Sequence, residues 1–312
     1  MTVTRRSIAL AAVGVFSLLT GCARRGRSPA GDVHAGHDMA PAAAVAAAGE
    51  SGATSNLAIP ADANGAVARL AASPRHGEYA MIPVGDGDSV RAWVVYPERS
   101  TRAPVVIVIH EIFGLSPWVR GVADQLAADG FIAIAPDFLT GKRLPLSADS
   151  AALVPGGTDS IVAMIRTLDN GQIVRRIGAA ARYGTVLPAA TTRWGVIGFC
   201  WGGSMSFLTA ASFPTLSAAV PYYGGVREGT DLTRTRAPVL AFYGEKDARV
   251  NATIPVADSA LRAAGVPFEP AILPGAGHGF LRQQEGQNGA NAAASREAWP
   301  RTIAWFRQHL GQ

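Results

Sequence analysis

The 312-residue sequence is poor in cysteine, which limits the sites that thiols could build. Its two cysteines are Cys22 and Cys200, and we expect the segment that ends at Cys22 to be processed on export. Cys200 would then have no thiol partner in the mature chain, which excludes an intramolecular disulfide. A zinc site with four cysteine ligands is excluded for the same reason.

An excess of positive charge is also lacking once the position of the charges is considered. The formal net charge is +5, from 28 basic and 23 acidic residues. The basic residues that precede residue 28, where no acidic residue occurs, are Arg5, Arg6, Arg24, Arg25 and Arg27. The other 23 basic residues balance the 23 acidic ones. Because a nucleic-acid-binding protein needs a basic surface to contact phosphates, we predict no nucleic-acid partner.

The N-terminal segment, residues 1–22, has the layout of a bacterial export signal. A basic start precedes an apolar stretch, Ile8–Leu19, that is too short to span a bilayer comfortably. Leu19–Cys22 (LTGC) resembles a lipobox, in which the cysteine is acylated and becomes the mature N-terminus. Thr4–Arg6 resembles the start of a twin-arginine signal. We predict an exported protein of the periplasm or cell envelope, bound to the membrane by a lipid on Cys22; the alternative is a plain signal peptide.

Residues 23–76 are rich in Ala, Gly, Ser and Pro and contain few large apolar side chains. Such a segment cannot bury enough surface to offset the entropy lost on ordering, so we predict a flexible linker. His34, His37 and Met39 could bind a soft metal, but three loosely spaced donors make a poor site. A solvated linker without metal is therefore the favoured interpretation, and the folded domain is predicted to cover residues 77–312.

The predicted domain alternates between short apolar runs and amphipathic helical patterns. Runs of the kind found in strands buried on both faces occur at 103–110, 131–137, 194–199, 218–223 and 238–244. Residues 89–97 (SVRAWVVYP) alternate apolar and polar side chains, which favours an antiparallel strand. Strands that alternate with helices predict an α/β fold, with a doubly wound, mostly parallel sheet and helices on both faces.

Cys200 lies in the sequence GFCWGG, between a predicted strand and a predicted helix. This is the form of the G-x-S-x-G nucleophile elbow with cysteine in place of serine. Glycines flank such a nucleophile because its strained turn leaves no room for neighbouring β-carbons. The dipole at the start of the helix favours a thiolate. The pattern indicates a nucleophile, and a small buried core residue is the alternative.

A candidate acid and a candidate base follow Cys200 at later strand ends. Asp247 comes directly after a buried strand, and His278 lies in a glycine-rich loop after the next strand. The order nucleophile, Asp, His is that of α/β-hydrolases. His278 would exchange a proton with Cys200, and Asp247 would hold the imidazole in its tautomer. Asp247 could instead be a turn or helix cap, with Asp258 as a less favourably placed acid.

The loop after the run at 103–110 contains Glu111 and Ile112. In this fold that loop supplies a backbone N–H to the oxyanion hole, so we predict that the N–H groups of Ile112 and Trp201 form it. Glu111 would point into the cleft near the thiol. A buried carboxylate is costly unless it is paired, and a salt bridge to a nearby arginine is the alternative.

Five motifs, HEIFGL, APDF, GFCWGG, GEKD and AGHGFLR, occur in this order within about residues 77–312. Together they resemble the dienelactone hydrolase family, also called carboxymethylenebutenolidases. The resemblance implies an α/β-hydrolase fold with a Cys-Asp-His triad that cleaves an enol-lactone. By match the triad is Cys200, Asp247 and His278.

The resemblance implies further roles near the triad. Glu111 would interact with the nucleophilic thiol and take part in its activation when substrate arrives, and Arg282 would hold the substrate carboxylate. The segment 142–166 departs from the family pattern and offers no clear second carboxylate-binding arginine, with Arg143 as a candidate. An export signal is unexpected for a cytoplasmic catabolic enzyme, which leaves the substrate open.

The sequence therefore predicts a carboxylic ester hydrolase that acts on a small-molecule lactone or ester through a thioester acyl-enzyme, without cofactor or metal. One alternative is an exported carboxylesterase or thioesterase of broad specificity that uses the same triad. Another is a non-catalytic lipoprotein that keeps the fold as a binding module.

Overall fold

An eight-stranded sheet is the centre of the part of the chain that the computed structural model describes, residues 58–142 and 157–312. Its strands are β1 (Gly77–Gly85), β2 (Asp88–Val95), β3 (Ala103–Ile109), β4 (Ile132–Pro136), β5 (Ala190–Phe199), β6 (Ala218–Tyr222), β7 (Val239–Gly244) and β8 (Phe268–Leu273). Their order across the sheet is β1-β2-β4-β3-β5-β6-β7-β8. The strand β1 pairs antiparallel with β2, and β2 antiparallel with β4.

All other neighbours in the sheet run parallel. Every residue of β3, β4, β6 and β7 is buried, which explains why these strands form continuous apolar runs in the sequence. The predicted doubly wound, mostly parallel sheet is confirmed.

Helices cover both faces of the sheet. They are α1 (Ala66–Ala71), α2 (Pro117–Ala128), α3 (Gly157–Arg166), α4 (Asn170–Thr185), α5 (Trp201–Ser212), α6 (Ala248–Asn251), α7 (Ile254–Ala263) and α8 (Ala290–Leu310). One apolar layer joins the sheet to α4, α5 and α7, and the other joins it to α2 and α8. Two of the helices begin with a side-chain N-cap: Ser116 accepts the Val119 N–H at the start of α2, and Asp169 accepts the Gln172 N–H at the start of α4.

Residues 58–76 correct the predicted linker, because the structure places them in the folded unit. They form α1, which packs against α2, and they bury the side chains of Ile59 and Ala66. The composition did not reveal this, since the segment contributes small apolar contacts and polar anchors rather than a large hydrophobic face.

Several other predictions concern residues outside the described part of the chain. Cys22, His34, His37 and Met39 lie before residue 58, and Arg143 lies in the segment 143–156. Export, lipidation and the second arginine therefore stay predictions. Among the described residues, no helix combines the length and hydrophobicity needed to cross a membrane.

A buried ion pair anchors the segment before β1 to α2. The Arg75 Nη2 atom lies 2.6 Å from Asp124 Oδ2, and its Nε donates to Oδ1 at 3.0 Å. The Ser73 hydroxyl also donates to Asp124 Oδ1 at 2.5 Å. The side chains of Arg75 and Asp124 are only 13% and 6% exposed, so water competes little for this bidentate ion pair.

Asp124→Ala should lower the free energy of unfolding by about 3 kcal/mol, because it leaves Arg75 as an uncompensated, largely buried cation. Urea unfolding measures the change. The matched control is Asp258→Ala on α7, which breaks a pair with Arg262 whose side chains are 43% and 77% exposed. That change should stay within about 0.5 kcal/mol. Equal losses in the two variants would show that the Arg75 pair is not an anchor.

Candidate active site

Cys200 occupies a strained bend between β5 and α5. Its backbone angles are φ 54° and ψ −113°, a region that costs a residue with a side chain on the order of 1–3 kcal/mol. Two backbone hydrogen bonds hold the bend, from the Cys200 N–H to the Tyr222 carbonyl and from the Ser204 N–H to the Cys200 carbonyl, both at 3.1 Å. The strand, turn and helix expected around the thiol are present.

Close backbone packing explains the glycines around this bend. A β-carbon on Gly198 would overlap the carbonyl of Gly202, and one on Gly202 would overlap the carbonyls of Ile109 and His110. The first turn of α5 therefore lies directly against the end of β3. This contact brings Cys200 next to the loop that carries Glu111 and Ile112.

Gly202→Ala should lower the free energy of unfolding by about 2 kcal/mol or more, since the new methyl group would collide with backbone rather than with a flexible side chain. The matched control is Gly121→Ala in α2, where the nearest atom to a new β-carbon would be 3.9 Å away. That variant should gain about 0.5–1 kcal/mol from helix propensity. A Gly202→Ala protein as stable as wild type in thermal unfolding would refute the close packing.

Asp247 combines the two roles that the sequence left open. Its Oδ1 accepts the Val250 N–H at 3.4 Å and so caps α6, while its Oδ2 lies 2.5 Å from His278 Nδ1. The carboxylate is buried after β7, where its orientation is fixed by both contacts. Asp258, the alternative acid, lies on α7 and pairs with Arg262.

His278 links Asp247 to Cys200. Burial lowers the pKa of His278, but hydrogen bonding to Asp247 and Cys200 and the electrostatic influence of both groups outweigh burial and raise this pKa to about 10. The imidazole thus contacts the Asp247 carboxylate directly, and the Cys200 thiol lies close enough to affect its pKa. Such an arrangement can exchange a proton with the sulfur while the carboxylate fixes the tautomer.

Asp247→Asn tests the cause of the raised pKa. The folded-state pKa of His278, about 10, exceeds the value of about 6.5 in an unfolded chain, so the folded protein binds this proton more tightly. The stabilisation is fully present below about pH 6.5 and is lost as the pH rises through about 10. The variant's deficit in free energy of unfolding should therefore be largest near about pH 6 and shrink toward about pH 10. A deficit in urea unfolding that does not change with pH would contradict this account.

Asn291 supports the loop that carries His278, and nothing in the sequence had marked it. This side chain, buried at the start of α8, accepts the Gly277 N–H at 2.9 Å and donates to the Gln283 carbonyl at 2.8 Å. It therefore bridges the two sides of the loop around His278. An asparagine in an alanine-rich helix start gives no local signal for such a contact.

Glu111 and Arg282, predicted separately, form one ion pair. Glu111 Oε1 lies 2.6 Å from Arg282 Nε, although the N–H is not aligned on that oxygen as in a good hydrogen bond. The Glu111 side chain is 4% exposed, and burial raises its pKa to about 7 while Arg282 and His278 act to lower it. Arg282 is 24% exposed and stacks over the Phe113 ring at 4.6 Å. The salt bridge that was the alternative for Glu111 is thus present, and its partner is Arg282, the residue predicted to hold the substrate carboxylate.

His110 shapes the loop after β3 without being exposed to a substrate. Its ring is fully buried; Nδ1 lies 2.8 Å from the Glu111 carbonyl, and Nε2 accepts the Phe138 N–H at 3.3 Å. Burial lowers the pKa of His110, which favours the neutral ring with its proton on Nδ1. The ring also stacks on Trp201 at 5.5 Å. This histidine therefore joins the β3 loop to the start of α5.

The two predicted oxyanion donors lie on these joined segments. Ile112 follows β3, and Trp201 is the first residue of α5. In residues 58–142 and 157–312, neither backbone N–H has a protein acceptor, so both are free to donate to a ligand. Within the same ranges, no group of three or more His, Cys, Asp or Glu side chains is arranged to hold a metal ion.

Comparison with known proteins identifies the family. The model of the dienelactone hydrolase family matches residues 90–310. The chain belongs to this family. It is therefore a hydrolase with the α/β-hydrolase fold, as the motifs and the sheet order indicated.

Curated relatives agree with this membership. A protein of Salmonella typhimurium is 32% identical over 72% of this chain and 85% of its own length. One of Escherichia coli is 30% identical over 75% of this chain and 88% of its own length. Both bear the name "Putative carboxymethylenebutenolidase". A crystal structure from Klebsiella pneumoniae, named "Putative Dienelactone Hydrolase", is 27% identical, covers 75% of this chain and 99% of its own, and has a TM-score of 0.65.

Proposed function

We propose that this family member hydrolyses a lactone or ester through a Cys200–His278–Asp247 triad and a thioester acyl-enzyme. The observation that carries the proposal is the direct contact of His278 with Asp247, together with the influence of Cys200, at the start of α5, on the pKa of the same imidazole. The free N–H groups of Ile112 and Trp201 add the donors that acyl transfer needs.

In the first half of the reaction, the Cys200 thiolate attacks the carbonyl carbon and a C–S bond forms. The carbonyl oxygen becomes an oxyanion, which accepts hydrogen bonds from the N–H groups of Ile112 and Trp201. When the tetrahedral intermediate collapses, the C–O bond to the leaving group breaks. Protonated His278 gives its proton to the departing oxygen.

In the second half, water attacks the thioester carbonyl while His278 accepts a proton from it. The C–S bond breaks, the carboxylic acid leaves, and Cys200 and His278 return to their starting states. The sulfur is suited to enolate or phenolate leaving groups, which need little protonation. An enol-lactone, which the names of the curated relatives indicate for those proteins, provides such a leaving group.

Arg282 supports a substrate that carries a carboxylate. Its guanidinium is partly exposed beside Glu111, and a carboxylate can accept two parallel hydrogen bonds from such a group. We therefore propose that Arg282 binds the substrate carboxylate and that Glu111 takes part in activating the Cys200 thiol.

Replacement of the nucleophile tests the mechanism. Cys200→Ala should lose at least about a thousandfold in kcat on 4-nitrophenyl esters and on a carboxylated enol-lactone, because the remaining groups cannot form an acyl-enzyme. Acid quenching of wild type during turnover should yield an acyl adduct on Cys200 that mass spectrometry detects.

Two further variants serve as a matched pair for the acid. Asp247→Ala should also lose activity steeply, whereas Asp258→Ala should keep the wild-type rate. Full esterase activity in the Cys200→Ala protein would overturn the proposed function. Rates on neutral 4-nitrophenyl esters that match those on carboxylated lactones would favour an esterase of broad specificity.

A further inference from the structure

The hydroxyl of Tyr223 is a buried polar group that no contact with the described residues explains. The side chain has 0% exposure, and within residues 58–142 and 157–312 its oxygen has no hydrogen-bond partner. A hydroxyl taken from water without a partner costs on the order of 1–3 kcal/mol. Groups of this kind in a folded protein call for a physical reason.

Tyr223 is held in this position by a strained backbone next to the triad. Its φ is 39°, which is rare for an aromatic residue, and its N–H donates to the Phe242 carbonyl at 2.7 Å. The ring packs edge-on against His278 at 5.3 Å and against Phe280 at 5.2 Å. Strain and an unsatisfied hydroxyl thus occur together beside His278, and both are typical of functional sites.

The phenol of Tyr223 is a donor at any ordinary pH. Burial raises its pKa well above the usual value, and the electrostatic influence of Glu111 and Cys200 raises it further. The Tyr223 ring contacts His278, which lies in the same loop as Arg282. Because Arg282 pairs with Glu111, the phenol and the Glu111 carboxylate border the same site. The phenol therefore keeps its proton and can donate a hydrogen bond to an acceptor that comes within reach.

Glu111 becomes such an acceptor when its partner is drawn away. Arg282 neutralises this almost fully buried carboxylate through the ion pair described above. A substrate carboxylate that binds Arg282 would compete for the same guanidinium and weaken the ion pair with Glu111. A buried carboxylate without a partner is strongly unfavourable, so the exchange requires a new hydrogen-bond donor to Glu111.

We infer that Tyr223 is a positioning residue that donates its hydroxyl hydrogen bond to Glu111 when a carboxylate-bearing substrate engages Arg282. The inference deepens the proposed function and rests on it, since Arg282 is the substrate-binding arginine there. The substrate class that this inference requires is an ester or lactone with a free carboxylate. Only a hydrogen bond changes partner, and no proton or covalent bond is transferred.

The experiment compares Tyr223→Phe with wild type on two 4-nitrophenyl esters of similar length, the monoester of glutarate and the ester of pentanoate. The glutarate ester carries the carboxylate that Arg282 would bind, and the pentanoate ester does not. Loss of a hydrogen bond to a charged group should raise KM for the glutarate ester tenfold to hundredfold. The rise in KM for the pentanoate ester should be at least fivefold smaller, and kcat should change less than KM for the glutarate ester.

Stability and a second tyrosine distinguish this role from a structural one. Tyr223→Phe should be at least as stable as wild type in urea unfolding, because it removes an unsatisfied buried hydroxyl. The matched control is Tyr243→Phe on β7, where a buried hydroxyl also lacks a partner in the described residues but the pKa is raised by burial alone. That control should leave both kinetic constants unchanged on both esters.

Arg282→Met gives the reference for the loss of carboxylate preference. In that background Tyr223→Phe should add no further change in the ratio of KM values for the two esters, because the exchange of partners no longer occurs. Equal effects of Tyr223→Phe on both esters, or none on either, would overturn the inference. Activity retained by Cys200→Ala would instead overturn the proposed function, so the two failures are distinguishable.

Discussion

The close contact between α5 and the ends of β3, β5 and β6 is the constraint on which the site depends. Gly202 touches the backbone that ends β3, Gly198 touches Gly202, and Gly203 lies against the Tyr222 carbonyl and Gly224. No side chain fits between these segments. The backbone at Cys200 is consequently fixed by direct contact between main-chain segments, and the same contact places the first turn of α5 against the end of β3, which the loop with Ile112 follows.

The site contains two carboxylates in different surroundings, and this difference separates their chemistry. Asp247 accepts from a helix N-terminus and from His278, so its charge is well supported. Glu111 is almost fully buried, its pKa is raised to about 7, and it depends on one arginine that a ligand can reach. One carboxylate can thus hold a fixed imidazole, while the other can respond to what binds nearby.

Much of the architecture was accessible from the sequence because its signals are local. Strands buried on both faces appear as apolar runs, and the elbow has a short glycine pattern that fixes the position of the thiol. Cys200, Asp247 and His278 follow β5, β7 and β8, and this placement was enough to predict that they lie at the same side of the sheet, since the carboxyl ends of parallel strands lie together. Other features depend on distant contacts: an ion pair holds the segment between α1 and β1 to α2, Asn291 bridges a loop, and Glu111 meets Arg282 from another part of the chain. The unsatisfied hydroxyl of Tyr223 is likewise visible only when all its neighbours are in place.

The segment at 58–65 has a practical consequence for handling the protein. The Ala63 N–H donates to the Arg282 carbonyl at 2.9 Å, and Gln284 donates to the Pro60 carbonyl at 2.8 Å, so the chain enters the domain beside the loop of the candidate substrate-binding arginine. Gln312, in contrast, donates to the carbonyl of Gly130, which precedes β4 at the amino ends of the parallel strands. Purification tags, dyes or a solid support are therefore better attached at the C-terminal side, where they are less able to disturb the loop that carries Arg282.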